Sequence, residues 1–359
     1  MQGPLNDEAA DGADPYPGEV LPRPLTLRVA ALLAVLGLAA AALVAPTVAD
    51  AAGSAAPQVS DRAAKPKDPR FTQGLFVDPK MPAYQAGGVY RQKLGSRAQA
   101  LWLGPEYYPT DQVRDVVRAY TSRALDSRKT PILAVYGIPD RDCGLYSSGG
   151  LPGASDYKAW IRQIAAGVRD QHVLLVLEPD AIPFYGDPRC QNAGNRLGLL
   201  RFASRSLSSA GAWVYLDAGH SDWRPYDTRA ALLKKAGIAY DRGFSTNVAN
   251  FRTTSEETAY ADFLLKGLRD LGIKGMHYVR DTSRNGNASP VSGDVTNPRW
   301  ALVGKSPKLV FDGAFDGNLW IKHPGESDGY SNDGGPSGQW CNLLADRLLG
   351  RTPELNYCP

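Results

Sequence analysis

Aspartates recur at one place in a repeating pattern along this chain. Asp142 lies just past an apolar segment ending at Tyr136, Asp180 shortly after Leu177, Asp217 directly after Leu216, Asp281 just beyond Val279 and Asp328 past Ile321. Carboxylates gathered in this way suit glycosidic bond cleavage. One protonated acid donates to the leaving oxygen while a base or ordered water attacks the anomeric carbon from the other side. Burial and neighbouring like charge keep such a donor protonated near neutrality. The 17 Tyr and 7 Trp add flat ring faces of the kind that lie against sugar rings. Other chemistries lack their parts: there is no HExxH, CxxC, GxGxxG, Walker A or GxSxG motif. Of the four histidines, His172 and His277 read as solvated or packing residues rather than ligands. No metal or cofactor is called for.

The elements that must position these acids alternate in type. Strands are expected at Gly74–Val77, Ala100–Leu103, Ile132–Tyr136, Val173–Leu177, Trp213–Leu216, His277–Val279, Leu309–Phe311 and Leu319–Ile321. Between them, amphipathic helices are expected at Asp111–Ser127, from Ser155 to Asp170, at Leu197–Ser208 and Thr228–Ala236, and from a Thr254/Glu257 capping box to Leu271. A last helix is expected at Gln339–Leu349. Near-continuous apolar strands separated by helices define an α/β protein with a mostly parallel sheet, here a β/α barrel. Every one of the aspartates then falls at the C-terminal end of a strand, the face on which parallel barrels carry their chemistry.

The N-terminus stands apart. Val29 to Val44 is an apolar run behind Arg23 and Arg28, followed by Pro46 and the small-residue stretch Ala49-Asp50-Ala51. It reads as a secretory signal peptide over residues 1–51, or as an uncleaved anchor with the protein facing outward, although the run is short for a span of about 20 residues. Residues 52–70 read as a flexible tether and 71–359 as one catalytic domain. An even count of four cysteines, Cys143, Cys190, Cys341 and Cys358, suits two disulfides outside the cell and allows three pairings. With 40 Lys+Arg against 37 Asp+Glu the charge is too balanced for nucleic-acid binding, and no obligate protein partner is evident.

Longer motifs sharpen this reading. Tyr136-Gly-Ile-Pro-Asp-Arg-Asp142-Cys143-Gly, followed by Ser147-Ser148-Gly-Gly, resembles the first signature of glycoside hydrolase family 6, the endoglucanases and cellobiohydrolases. Leu175-Val-Leu-Glu-Pro-Asp180-Ala-Ile-Pro resembles the second. Leu216-Asp217-Ala-Gly-His220, Ser245-Thr-Asn247-Val-Ala-Asn250, Asp281-Thr-Ser-Arg284 and Trp320-Ile-Lys322-His-Pro-Gly-Glu326-Ser-Asp328 are similar to its later blocks. The likeness runs from about Phe76 to Leu349 and implies a distorted parallel barrel of fewer than eight strands.

By position, the resemblance implies that Asp180 is the general acid and that Asp142 keeps it protonated and joins a proton relay. Asp328 is either the base or the ion-pair partner of an arginine such as Arg141 or Arg284. Ser148 would position the attacking water and Tyr136 would crowd the reacting sugar. Trp102 and Trp223 would stack on sugars on opposite sides of the scissile bond. Lys322 and Glu326 would bind hydroxyls, and His220 and Asn247 would line the cleft. Asp217 and Arg284 would also bind substrate, the structural alternative being that Asp217 supports the sheet end and Asp281 mainly orients Arg284. A Cys143–Cys190 bridge is implied, leaving Cys341–Cys358 as a C-terminal staple. The chain departs from the family at Val295-Thr296-Asn297-Pro298, where a Trp-Cys-Asn-Pro block is usual. Short loops after Ser148 and Asp328 imply an open cleft. The expectation is therefore a secreted inverting endo-β-1,4-glucanase acting on a β-glucan polysaccharide or oligosaccharide. The alternatives are a non-catalytic glucan-binding envelope protein or a cellobiohydrolase.

Overall fold

The computed structural model describes residues 68–190, 194–287 and 295–358. The expected signal or anchor segment, and nearly all of the tether, lie outside the described residues. Among the described residues, no helix is long and apolar enough to cross a membrane.

Eight strands form one sheet: β1 (Leu101–Leu103), β2 (Ile132–Val135), β3 (Leu174–Leu177), β4 (Trp213–Asp217), β5 (Gly243–Thr246), β6 (His277–Asp281), β7 (Lys308–Asp312) and β8 (Phe315–Leu319). They run in the order β1-β2-β3-β4-β5-β6-β8-β7, all neighbours parallel except the β7–β8 hairpin. Helices at Val113–Asp126, Ala154–Val168, Arg196–Ser209, Arg229–Lys235 and Thr254–Asp270 fill the crossovers. Seven parallel strands meet the expectation of a barrel with fewer than eight.

The apolar strand sequences follow from burial on both faces. Leu133, Val135, Leu175, Leu177, Val214 and Leu216 point outward and join Val117, Trp160, Ile161 and Leu200 of the helices in one core. Their alternates Ile132, Ala134, Leu174, Val176 and Tyr215 point inward and pack with Val279, Leu319 and Ile321 in a second core. This period-two division is why no polar face shows in these strands. Each such buried aliphatic side chain contributes about 1.5–3 kcal/mol.

Several local expectations shift. Gly74–Val77 forms only a single parallel bridge, Leu75 to Thr130. The last parallel strand lies earlier than Leu319–Ile321, at Phe315–Leu319. β5 was not expected at all, because Gly243-Phe-Ser-Thr is not an apolar run. A side chain at Gly243 would meet the His277 carbonyl oxygen at 1.7 Å, so only glycine lets β5 approach β6 there. The capping box is Thr253 with Glu256, one residue before the expected pair. That offset frees Glu257 to turn inward, where it accepts a hydrogen bond from the Ser221 amide at 2.8 Å.

The ladder does not close between β1 and β8 among the described residues. Instead Ala100 N donates to Trp320 O at 3.1 Å and Trp102 Nε1 donates to Ile321 O at 2.8 Å across the seam. Both disulfides form as expected. Cys143–Cys190 ties the loop after β2 to the loop after β3, and Cys341–Cys358 staples the C-terminus.

Candidate active site

The C-terminal strand ends open into a cleft of about 850 Å³. Trp102, Tyr136, Ser148, Asp180, Lys322, Glu326 and Asp328 all line it. Residues from β1 and from the segments after β2, β3 and β8 therefore share one trench. Tyr136 forms part of its floor: the Trp102 ring stands edge-on to it at 5.3 Å, and the Arg141 guanidinium lies 4.5 Å from its ring centre.

Asp180 follows β3 with a left-handed backbone (φ 67°) and is partly exposed to the cleft. Its amide donates to Asp217 Oδ2 at 2.9 Å. Burial, then the charge of Asp217, then that of Asp142 push its carboxyl well above the ordinary range. Asp217 therefore outweighs Asp142, which the sequence had made the main influence. Asp217 itself is fully buried at the end of β4, and its carboxylate also accepts Ser245 Oγ at 2.9 Å and the Gly219 amide at 3.1 Å. Burial raises it to about 6 against the pull of these donors. Asp142, half-buried, accepts the Ser147 amide at 2.6 Å, and burial raises it too.

Asp328 is the opposite case. Arg284 Nη1 lies 2.5 Å from its Oδ2 and Lys322 Nζ 2.9 Å from its Oδ1. The Asn297 amide adds a third hydrogen bond at 3.2 Å. Burial works to raise its carboxyl, but Arg284 and Lys322 together hold it down at about 2. Of the two arginines left open by the sequence, Arg284 is the partner. Arg141 instead pairs with Glu106, at 3.1 Å.

The other expected site residues, Asp142, Asp217, His220, Trp223, Asn247 and Arg284, are not among those that line this trench. Asn247 does not line the cleft. It is fully buried, its Nδ2 donating to Asp281 O at 2.9 Å and its Oδ1 accepting the Arg252 amide at 2.9 Å. Arg284 is likewise buried, stacked over Phe251 at 4.4 Å. Asp281 holds the Ala249, Ser283 and Lys322 amides, and Arg284 donates to the Ala249 carbonyl, so Asp281 orients the backbone around Arg284 rather than its guanidinium. His220 and Trp223 share the loop after β4, their rings 5.5 Å apart, with Trp223 edge-on to Phe184 at 4.7 Å. Burial, helped by the charges of Arg252 and Arg229, lowers His220 to about 3 and so keeps it neutral. Glu326 Oε1 is 2.6 Å from His323 Nδ1.

Sequence reasoning missed Glu106, the partner of Arg141, although it too follows a strand end, three residues past Leu103. It also missed Glu178, fully buried, whose carboxylate accepts the Gly137 and Ile138 amides, each at 3.0 Å, and so clamps the β2 loop to the β3 loop.

These buried acids set the pH dependence of stability. Burial raises Glu178 and Glu257 to about 7 and Asp217 to about 6. Raised acids bind more protons folded than unfolded, so the stability they confer is full below their unfolded values and is lost as pH rises through the folded ones. Tm is expected to be highest near about pH 4–5 and to fall toward pH 8, as read by calorimetry across that range.

A partly protonated carboxylate cluster at the C-terminal mouth of a parallel barrel, flanked by aromatic rings, defines a site of glycosidase type. The sequence model of Glycosyl hydrolases family 6 matches residues 83–337, and the chain belongs to that family. It is 39% identical over 285 residues to Endoglucanase A of Cellulomonas fimi, covering 77% of this chain and 61% of that one. It is 38% identical to Endoglucanase 1 of Streptomyces sp. (strain KSM-9), covering 75% and 74%. The chain thus spans about three fifths of the Cellulomonas relative's length. Among solved structures, the endoglucanase Cel6 of Mycobacterium tuberculosis, in complex with a thio-linked cello-oligosaccharide, aligns with a TM-score of 0.70 at 33% identity. That alignment covers 81% of this chain and 98% of the other.

Proposed function

We propose that this chain is a secreted endo-β-1,4-glucanase that hydrolyses internal bonds of cellulose or a related β-glucan with inversion. The observation that carries this reading is Asp180, a cleft carboxyl kept protonated by burial and by Asp217 and Asp142. Asp180 gives its proton to the glycosidic oxygen as the bond to the anomeric carbon breaks. A water placed by Ser148 attacks from the opposite face, and its proton passes along a relay to ionised Asp142. Asp328, pinned by two cations at about 2, has too little proton affinity to serve as base and instead fixes Lys322 and Arg284. Trp102 and Trp223 carry sugar rings, while Lys322 and Glu326 take hydroxyls. Activity then needs Asp142 ionised and Asp180 protonated, giving a bell-shaped profile. The names of the bacterial relatives and the oligosaccharide in the M. tuberculosis structure support the substrate class. The two disulfides support export.

A second reading, chain-end cleavage releasing cellobiose, is favoured by one contact. Ser147 Oγ lies 3.4 Å from Ser337 Oγ, so two loops that line the cleft touch one another. Proton NMR of cellohexaose hydrolysis tests both readings. The α-anomer is expected first, with cellotriose and cellotetraose among the early products. Early β-anomer overturns inversion, cellobiose alone favours the second reading, and intact cellohexaose overturns hydrolysis.

A further inference from the structure

We propose that Glu106 is a positioning residue, which grips Arg141 and the Gly150 amide and thereby fixes the loop carrying Ser148 beside Tyr136. The inference deepens the hydrolytic reading above and rests on it. Beyond β1 the chain turns through Gly104 and Pro105 and places the Glu106 carboxylate in the cleft wall. Its Oε2 accepts Arg141 Nη1 at 3.1 Å, and its Oε1 lies 3.1 Å from Nη2 and accepts the Gly150 amide at 3.1 Å. This two-oxygen grip sets both the place and the plane of the guanidinium.

Arg141 passes that orientation on. It is buried, and it donates from Nε to Ser147 O at 2.8 Å, from Nη2 to Ser148 O at 3.3 Å and from Nη1 to Tyr136 O at 2.8 Å. One guanidinium thus holds the serine loop and the floor tyrosine together. Its own amide donates to Gly149 O at 3.0 Å, closing the loop on itself. The fit is tight: at Gly149 (φ 146°) a side chain would meet Glu106 Oε1 at 2.5 Å and Arg141 Nη2 at 2.7 Å. Misplacing a water-positioning hydroxyl by about 1 Å costs up to about 10²-fold in rate.

Glu106 also cancels charge. Burial raises Asp142 against the Ser147 amide and the charges of Arg141 and Arg189, and Asp142 in turn raises Asp180 and Tyr136. Without Glu106 the positive charge of Arg141 acts on Asp142 unopposed and favours its ionised form. A brace that was merely structural would not move the pH profile.

The test compares Glu106→Ala and Glu106→Gln with the unaltered protein on cellohexaose. Glu106→Ala is expected to lower kcat by roughly 10- to 100-fold with KM little changed. Glu106→Gln, which keeps an acceptor for the Gly150 amide, is expected to recover part of kcat and to move the acid limb to lower pH. A parental kcat in Glu106→Ala, or an acid limb that stays in place in Glu106→Gln, overturns the proposal. Amide hydrogen exchange separates its failure from that of the hydrolytic reading. Exchange at Ser148 and Gly150 is expected to quicken in Glu106→Ala whether or not the protein turns over glucan, and unchanged exchange overturns the brace.

Discussion

Asp180→Asn is expected to lower kcat on cellohexaose by roughly 10²- to 10⁴-fold, the range that general acid catalysis supplies, while leaving cellotetraose affinity within a few-fold. Asn matches the shape of Asp and tolerates the left-handed backbone at φ 67°, so the fold and the Asp217 contact to the 180 amide remain. Only the transferable proton is lost. Reducing-sugar release measures the first quantity and titration calorimetry the second. A variant that kept its turnover would remove Asp180 from the chemistry and leave the carboxylate cluster without a donor.

Asp328→Ala is expected to cost about 3–5 kcal/mol of stability, because it strands two buried cations. The Arg284 and Lys322 side chains are only 3% and 12% exposed, and both point at this one carboxylate. The pH dependence has a definite sign. A carboxyl lowered from 3.8 to about 2 contributes stability that is full above its unfolded value and is lost as pH falls through about 2. The shift corresponds to about 2 kcal/mol, smaller than the cost of deletion because deletion also leaves Arg284 and Lys322 buried and unpaired. Denaturant unfolding of Asp328→Ala at pH 7 measures the cost. A loss under about 1 kcal/mol would mean that the two cations find other partners.

Much of this architecture was legible because barrel strands buried on both faces show as short apolar runs, and an aspartate at the end of such a run is conspicuous. β2, β3 and β4, with Asp142, Asp180 and Asp217, follow from that pattern alone. β5 escaped because its composition answers to neighbours: glycine at 243 for the His277 carbonyl, serine at 245 for the Asp217 carboxylate. The partner of Asp328 was open between Arg141 and Arg284 because pairing depends on which loops meet in space. Glu106 shows the same limit, since its value lies in contacts with Arg141 and Gly150, far along the chain. Asn247 misled for the converse reason: a polar residue inside a motif can be spent on bracing backbone.

The left-handed turns under Asp142 (φ 58°) and Asp180 (φ 67°) narrow what natural drift can do at these places. Asp, Asn and Gly are at ease in that conformation, whereas branched or bulky residues are disfavoured there. Exchange of one carboxylic oxygen for an amide nitrogen is therefore the substitution the scaffold accepts with least disturbance, and under the proposed mechanism it is also the one that silences bond cleavage. A lineage carrying it would retain a trench shaped for glucan without cutting it, so lectin-like descendants of this barrel lie a single amide away.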